Sequence, residues 1–348
     1  GSLTHRSSMP TVHRSPDIRP IHLVALLAAV VLAFAACGGD GEDPGRAAVS
    51  PEAGGAFPVS IEHKFGTTEI AEEPQRVVTV GYNEHDFALA LGVTPVGVRE
   101  WFGERPSATF AWARDELGEA EPSVLPAGEL NFERIAALRP DLILGVYSGM
   151  TEADYERLSR IAPTVAQTDE HVDYGVPWQE QTMTIGRALG RERRAGRIVA
   201  RIEARFARVR EEHPEFSAAT ALFAYREENG SFGAYASDDP RGRFLRSLGF
   251  QAPDDIDELA GEQFFAELSG EQARLLDRDV LVMIDLADIA ASRAELMRDP
   301  LYRRLEVVRE GRDVYPDVEA AAALSFSSPL SLPRAIDALV PQLARAVR

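Results

Sequence analysis

Short apolar runs alternate with stretches of helical spacing along most of the chain. Residues 76–80 form a brief β-branched run that ends at Gly81 and gives way to the polar turn Tyr82-Asn83-Glu84-His85. Residues 87–91 then carry helix-like apolar spacing up to Gly92, and 95–98 form another short run. Strand, polar turn, helix, strand is the pattern of a parallel α/β unit, whose strands are buried on both faces and read as continuous apolar runs. The next unit is sharper. Asn131 is positioned to cap a helix reaching Leu138, Pro140 closes it, and Leu142-Ile-Leu-Gly-Val146 reads as a buried strand. A hairpin-like opening over 59–70, a helix over 151–161 and a strand over 163–165 complete this half.

Residues 177–213 are helical almost throughout. From Gly190 onward the apolar positions Ala195, Ile198, Val199, Ile202, Phe206 and Val209 recur at helical spacing, with arginines on the other side. Some 23 residues rising 1.5 Å each predict a helix of roughly 35 Å, long enough to connect two lobes. Beyond Pro214 the α/β pattern restarts: strand 221–225, helix 242–248, helix 269–276, strand 280–284, a helix near 292–297 and a last helix over 333–347. The two halves echo one another, Asn131 matching Ser269, Glu133 matching Glu271, Leu138 matching Leu276, Asp141 matching Asp279, and Leu142-Ile-Leu matching Val280-Leu-Val. These patterns predict an α/β protein of two similar lobes with parallel sheets joined by one long helix.

The start of the chain follows a different pattern. Arg6, Arg14 and Arg19 precede an apolar run over 21–36, too short to favour a permanent span and shaped like a secretory signal. It ends at Phe34-Ala-Ala-Cys37-Gly-Gly, similar to the lipobox at which a cysteine is lipidated, so Cys37 is the expected lipidation site and the mature chain is expected to be exported and held at the outer face of the cytoplasmic membrane. Residues 38–57, rich in Gly, Pro and acids, read as a tether. With 37 basic against 55 acidic residues the formal charge is −18, which argues against nonspecific nucleic-acid binding. A single cysteine excludes intramolecular disulfides and thiolate clusters. The histidines after the tether, His63, His85, His171 and His213, form no motif-spaced metal set, so no metal site is expected.

Several segments carry a resemblance. They are Phe65-Gly-Thr-Thr-Glu-Ile with Pro74-Gln-Arg-Val-Val-Thr-Val, Ala90-Leu-Gly-Val-Thr-Pro-Val-Gly-Val, Asn131-Phe-Glu-Arg-Ile-Ala-Ala-Leu-Arg-Pro-Asp-Leu-Ile-Leu, Trp178-Gln-Glu-Gln-Thr-Met-Thr-Ile-Gly-Arg-Ala-Leu-Gly and Ala323-Leu-Ser-Phe-Ser-Ser-Pro-Leu-Ser-Leu-Pro. Together they resemble the substrate-binding lipoproteins of siderophore, haem and cobalamin ABC importers, in particular the ferric-siderophore binders. The resemblance implies two Rossmann-like lobes around a ligand cleft, with a signal peptide over 1–36, a lipid-anchored tether over 37–57, a first lobe over 58–176, a connecting helical segment over 177–213 and a second lobe over 214–348. It implies a monomer that receives a ferric siderophore and delivers it to a permease dimer driven by an ATPase, with iron bound only as part of that ligand and no cofactor of its own. Haem or a corrinoid is the alternative ligand of the same fold.

The same resemblance assigns Glu133 and Glu271 to docking, one carboxylate for each half of the permease, as a pseudo-two-fold protein can present to a two-fold partner. Ligands of open α/β sheets sit at strand C-terminal ends. With the family's motif positions, this selects Tyr82, Asn83, Glu84, Trp101, Phe102 and Tyr147 in the first half, and Arg226, Phe232, Tyr235 and Phe326 in the second. Arg226 is the expected cation facing an anionic iron complex. A siderophore-modifying hydrolase is the rival of a different class. Acid pairs such as Asp285 with Asp288 and the serines over 325–328 could be read that way, but no nucleophile elbow or motif-spaced histidine accompanies them, and the chain is expected not to be an enzyme.

Overall fold

The computed structural model describes residues 56–347. It opens with an antiparallel hairpin of β1 (Val59–His63) and β2 (Gly66–Ile70), whose Ile61 and Ile70 point into the core. The first lobe is built on β3 (Val77–Thr79), β4 (Gly97–Arg99), β5 (Ser123–Leu125), β6 (Leu142–Gly145) and β7 (Thr164–Ala166), all parallel, in the order β5-β4-β3-β6-β7. The second uses β8 (Ala221–Arg226), β9 (Phe232–Tyr235), β10 (Phe265–Leu268), β11 (Val280–Met283) and β12 (Asp313–Val314), in the order β10-β9-β8-β11-β12. The order is that of the first lobe, repeated. In the second sheet β11 pairs in parallel with β8 and β12, while β9 runs antiparallel to both β8 and β10. The predicted two-lobe α/β class therefore holds, with one mixed sheet where two parallel ones were expected.

The internal echo has a structural basis. Asn131 caps the helix Phe132–Ala137 by accepting from the Arg134 amide. Asp141 just beyond it accepts from the Gln75 and Arg76 amides, which lead into β3. In the second lobe Ser269 opens Gly270–Leu276, a 3₁₀ helix where an α-helix was expected, and Asp279 accepts from the Thr220 amide and hydroxyl ahead of β8. Each aspartate thus clamps the entry of its lobe's central strand to the start of the neighbouring strand, satisfying backbone donors that begin outside the sheet.

The helical connector comes in two pieces. Trp178–Ala188 and Glu192–Glu212 meet at Gly190, whose φ of +66° a side-chain-bearing residue rarely adopts. The two helices pack closely enough at Gly186 that a Cβ there would lie 2.5 Å from the Ala195 Cβ. The second piece, 21 residues or about 32 Å long, buries Ala195, Ile198, Ile202, Phe206 and Val209, the stripe expected from its spacing. That stripe belongs to one apolar core that runs from the first lobe across the connector to the C-terminal helix Ser331–Ala346 and the second lobe. Separate clusters cover the opposite face of each sheet. Among the described residues no helix is long and apolar enough to cross a membrane.

Candidate functional site

The turn after β3 leads into the helix Glu84–Ala90, whose first three side chains are all buried. Glu84 folds back over Gly81, and its Oε1 accepts from the Tyr147 amide at 2.6 Å, tying together the loops that follow β3 and β6. Burial, only partly offset by that bond and by Arg99, pushes its carboxyl up to about 7. Burial holds His85 below its ordinary value and so neutral. Asp86 accepts from the Trp112 indole at 2.7 Å and the Ser328 hydroxyl at 2.6 Å, and burial raises its pKa. Asn83 donates to the Phe326 carbonyl at 2.9 Å. Of the trio expected in the cleft, Asn83 and Glu84 are therefore internal ties and only Tyr82 is partly exposed. The reason is local: the backbone turns in at Gly81, where the absence of a Cβ leaves room for the Glu84 carboxylate.

The expected aromatics form one connected wall. Tyr82 stacks on Trp101 at 5.5 Å, and Trp101 meets Phe102, Phe326 and Tyr147 at 4.9, 5.4 and 6.0 Å. Phe326 is 1% exposed and enclosed by Trp101, Phe102, Phe110 and Trp112, so it supports the wall from behind instead of lining the cleft. Tyr147 is also buried, edge-on to Tyr174. Phe232 is a core residue stacked on Tyr302.

Opposite lies the second lobe's contribution. Tyr225 and Tyr235 face each other at 5.2 Å, and burial keeps both phenols protonated. With Phe102, Glu104, Arg226, Ser325 and the loop from Ile284 to Ala287 they line a cavity of about 710 Å³ bounded by both lobes, a size suited to a small-molecule site. Arg226 lines it but is not free, because its Nη1 donates to Asp299 at 2.9 Å.

Two arginines escaped the sequence reasoning. Arg241 makes a two-bond fork to the Asp239 carboxylate, 2.7 Å at each oxygen, and lies 3.9 Å over the Tyr235 ring. Arg99 lies 4.3 Å over the Tyr82 ring, with its Nη2 3.1 Å from the Tyr82 hydroxyl and its Nη1 2.9 Å from the Val80 carbonyl. Arg99 ends β4, so the strand-end rule that selected Trp101 could have found it; Arg241 follows a helix-starting Asp-Pro and carries no such signal.

Glu133 and Glu271 are both exposed in the first turn of their helices, on equivalent segments of the two lobes. Cys37, the leader and most of the tether lie outside the described residues. One titratable cluster not anticipated from spacing brings Glu170, His171 and Glu180 together, with His171 Nε2 2.8 Å from Glu180 Oε2 and Thr168 donating to the same carboxylate. The Glu170 carboxylate beside them is exposed.

Residues 77–317 match the family model described as periplasmic binding protein. This chain belongs to that family. The ferric-anguibactin-binding protein FatB of Vibrio anguillarum is 27% identical over 274 residues, 76% of this chain and 81% of the relative. A periplasmic solute binding protein from Mycobacterium smegmatis is 35% identical with a TM-score of 0.75, covering 83% of this chain and 99% of that one. PiaA of Streptococcus pneumoniae, solved in complex with ferrichrome, is 29% identical with a TM-score of 0.70, over 83% and 98% of the two chains. As a family member the chain is a binding protein, and its interlobe cavity and aromatic wall are read in that light.

Proposed function

We propose that this protein is the exported substrate-binding component of an ABC importer, that it captures a ferric siderophore in the cleft between its lobes, and that it delivers it to a membrane permease. The observation that carries the reading is the 710 Å³ interlobe cavity beside a continuous aromatic wall, in a family whose similar members are named for ferric anguibactin and solved with ferrichrome. A ferric siderophore already fills its iron with ligand oxygens, so the protein needs shape, flat apolar surface and hydrogen-bond donors, not a metal ligand. Trp101, Tyr82, Phe102, Tyr225 and Tyr235 offer these. Glu133 and Glu271, exposed once on each lobe, are the docking carboxylates, and Cys37 carries the lipid that keeps the protein at the outer face of the membrane.

A binding role without turnover fits the interior chemistry. A serine nucleophile needs a histidine between it and its aspartate. Here Ser328 bonds Asp86 directly while the nearest His85 nitrogen is 3.8 Å away on the far side of that carboxylate, and all three are sealed from solvent. Ser325 and Ser327 donate to carbonyls of their own helix.

Titration of tryptophan fluorescence with ferrichrome and other ferric siderophores tests the reading. Saturable quenching in the nanomolar to micromolar range, about −12 to −8 kcal/mol, is expected. Most of it should disappear in Trp101→Phe and persist in Trp178→Phe. Quenching by haem or cobalamin alone would keep the fold and replace the ligand; no quenching by any of them would remove the reading.

A further inference from the structure

We propose that the iron complex this cleft accepts is uncharged or cationic, of the tris-hydroxamate kind, and that polyanionic catecholate and citrate complexes are excluded by charge. The inference rests on the cleft reading above and names the chemistry of its ligand. Arg226 is the basic residue of the cavity lining, and its charge is already matched. Burial alone would raise the Asp299 carboxyl, yet the Arg226 hydrogen bond and the Leu301 and Tyr302 amides more than reverse this and hold it below the usual carboxylate range. The pair is thus fully ionised and internally neutral. Behind Tyr235, Arg241 is neutralised in the same way by both oxygens of Asp239. Arg105, next to the lining, turns its guanidinium onto the Phe110 ring at 5.1 Å.

The acids are not matched in this way. Glu104 and Asp285 line the cavity and form no salt bridge among the described residues; Asp285 accepts only from the Ala287 and Asp288 amides. Glu100, just before the wall residue Trp101, is raised chiefly by burial. A polyanion would meet the Glu104 and Asp285 carboxylates in the cavity lining, while the guanidinium in that lining, Arg226, is already held by Asp299, and like charges brought together out of water repel strongly. A neutral complex presenting hydroxamate oxygens finds what the cleft does offer: the protonated phenols of Tyr225 and Tyr235 and aromatic surface.

The test is equilibrium dialysis of the protein against four iron complexes: ferrichrome, which is neutral; ferrioxamine B, which is cationic; ferric enterobactin, which is trianionic; and ferric citrate. The neutral or cationic complex should bind at least about tenfold more tightly than either anionic one. In a Glu104→Gln, Asp285→Asn double variant that gap should shrink by about tenfold, more at low than at high salt. Equal or tighter binding of ferric enterobactin or citrate by the unaltered protein overturns the charge assignment but leaves the cleft reading standing. A gap unchanged in the double variant overturns these carboxylates as its cause. Binding of none of the four removes the cleft reading itself.

Discussion

The first lobe runs β5-β4-β3-β6-β7 in parallel throughout, whereas the second repeats that order as β10-β9-β8-β11-β12 with β9 reversed. The shared half of each sheet, β3-β6-β7 and β8-β11-β12, carries what must be equivalent in the two lobes: the clamping aspartates Asp141 and Asp279 and the exposed glutamates Glu133 and Glu271. The differing half supplies much of the cavity's aromatic surface. In the first lobe the loop after β4 supplies Trp101 and Phe102. In the second, the β8–β9 hairpin brings Tyr225, Arg226 and Tyr235 to the cavity without a crossover helix. The lobes also treat buried charge differently. The first holds Glu84 and Asp86 as carboxylates with raised pKa values and no basic side chain in hydrogen-bond contact, while the second locks its cleft arginines into the Arg226–Asp299 and Arg241–Asp239 pairs. The two lobes thus share the geometry that presents Glu133 and Glu271 and differ in the surfaces that bound the interlobe cavity.

The sharpest way to break this contrast is at the aromatic hub. Phe326→Ala opens a cavity beneath Trp101, Phe102, Phe110 and Trp112, and should cost about 3 to 5 kcal/mol in denaturant unfolding. It should weaken ligand binding as well, since the wall loses its backing. Next comes Glu84. Its folded pKa of about 7 lies above the ordinary 4.5. The folded state therefore holds the extra proton between those values, and the stability this contributes is present in full below about pH 4.5 and lost as pH rises through 7. Glu84→Gln removes that slope, so its unfolding free energy relative to the unaltered protein should rise by roughly 3 kcal/mol between pH 4 and pH 8.

Smaller effects test the symmetric half. A Glu133→Ala, Glu271→Ala double variant should bind ligand normally yet lower cellular uptake by about tenfold or more, with each single variant in between. Loss of uptake from only one of the two would break the proposed equivalence of the lobes. Smallest of all, Asp141→Ala and Asp279→Ala should each cost about 1 kcal/mol, the net worth of the backbone bonds they accept, and by similar amounts.

The strands most legible in the sequence lie in the equivalent half. β6 and β11 are unbroken apolar runs preceded by a capped turn and a clamping aspartate, and that grammar is local. β9 was not legible, because Phe-Gly-Ala-Tyr has no alternation and owes its extended form to pairing with both β8 and β10. The helix Val318–Phe326 escaped for a related reason: its run of alanines is buried all round and so shows no periodicity. At the site, strand-end position pointed to Tyr82 and Trp101, which stack on one another, and to Arg226 and Tyr235, which line the interlobe cavity. It could not say which side chains turn inward, because the burial of Glu84 depends on the space above Gly81 and the neutralisation of Arg226 on Asp299, far along the chain.

Whether the iron complex sits between the lobes is measured by anomalous diffraction at the iron edge from crystals grown with ferrichrome. A single strong iron peak is expected in the cavity bounded by Phe102, Tyr225, Tyr235 and Ser325. A peak instead in the cavity beside Trp178 and Arg243, or in the one beside Glu133, with the cleft empty, would contradict it.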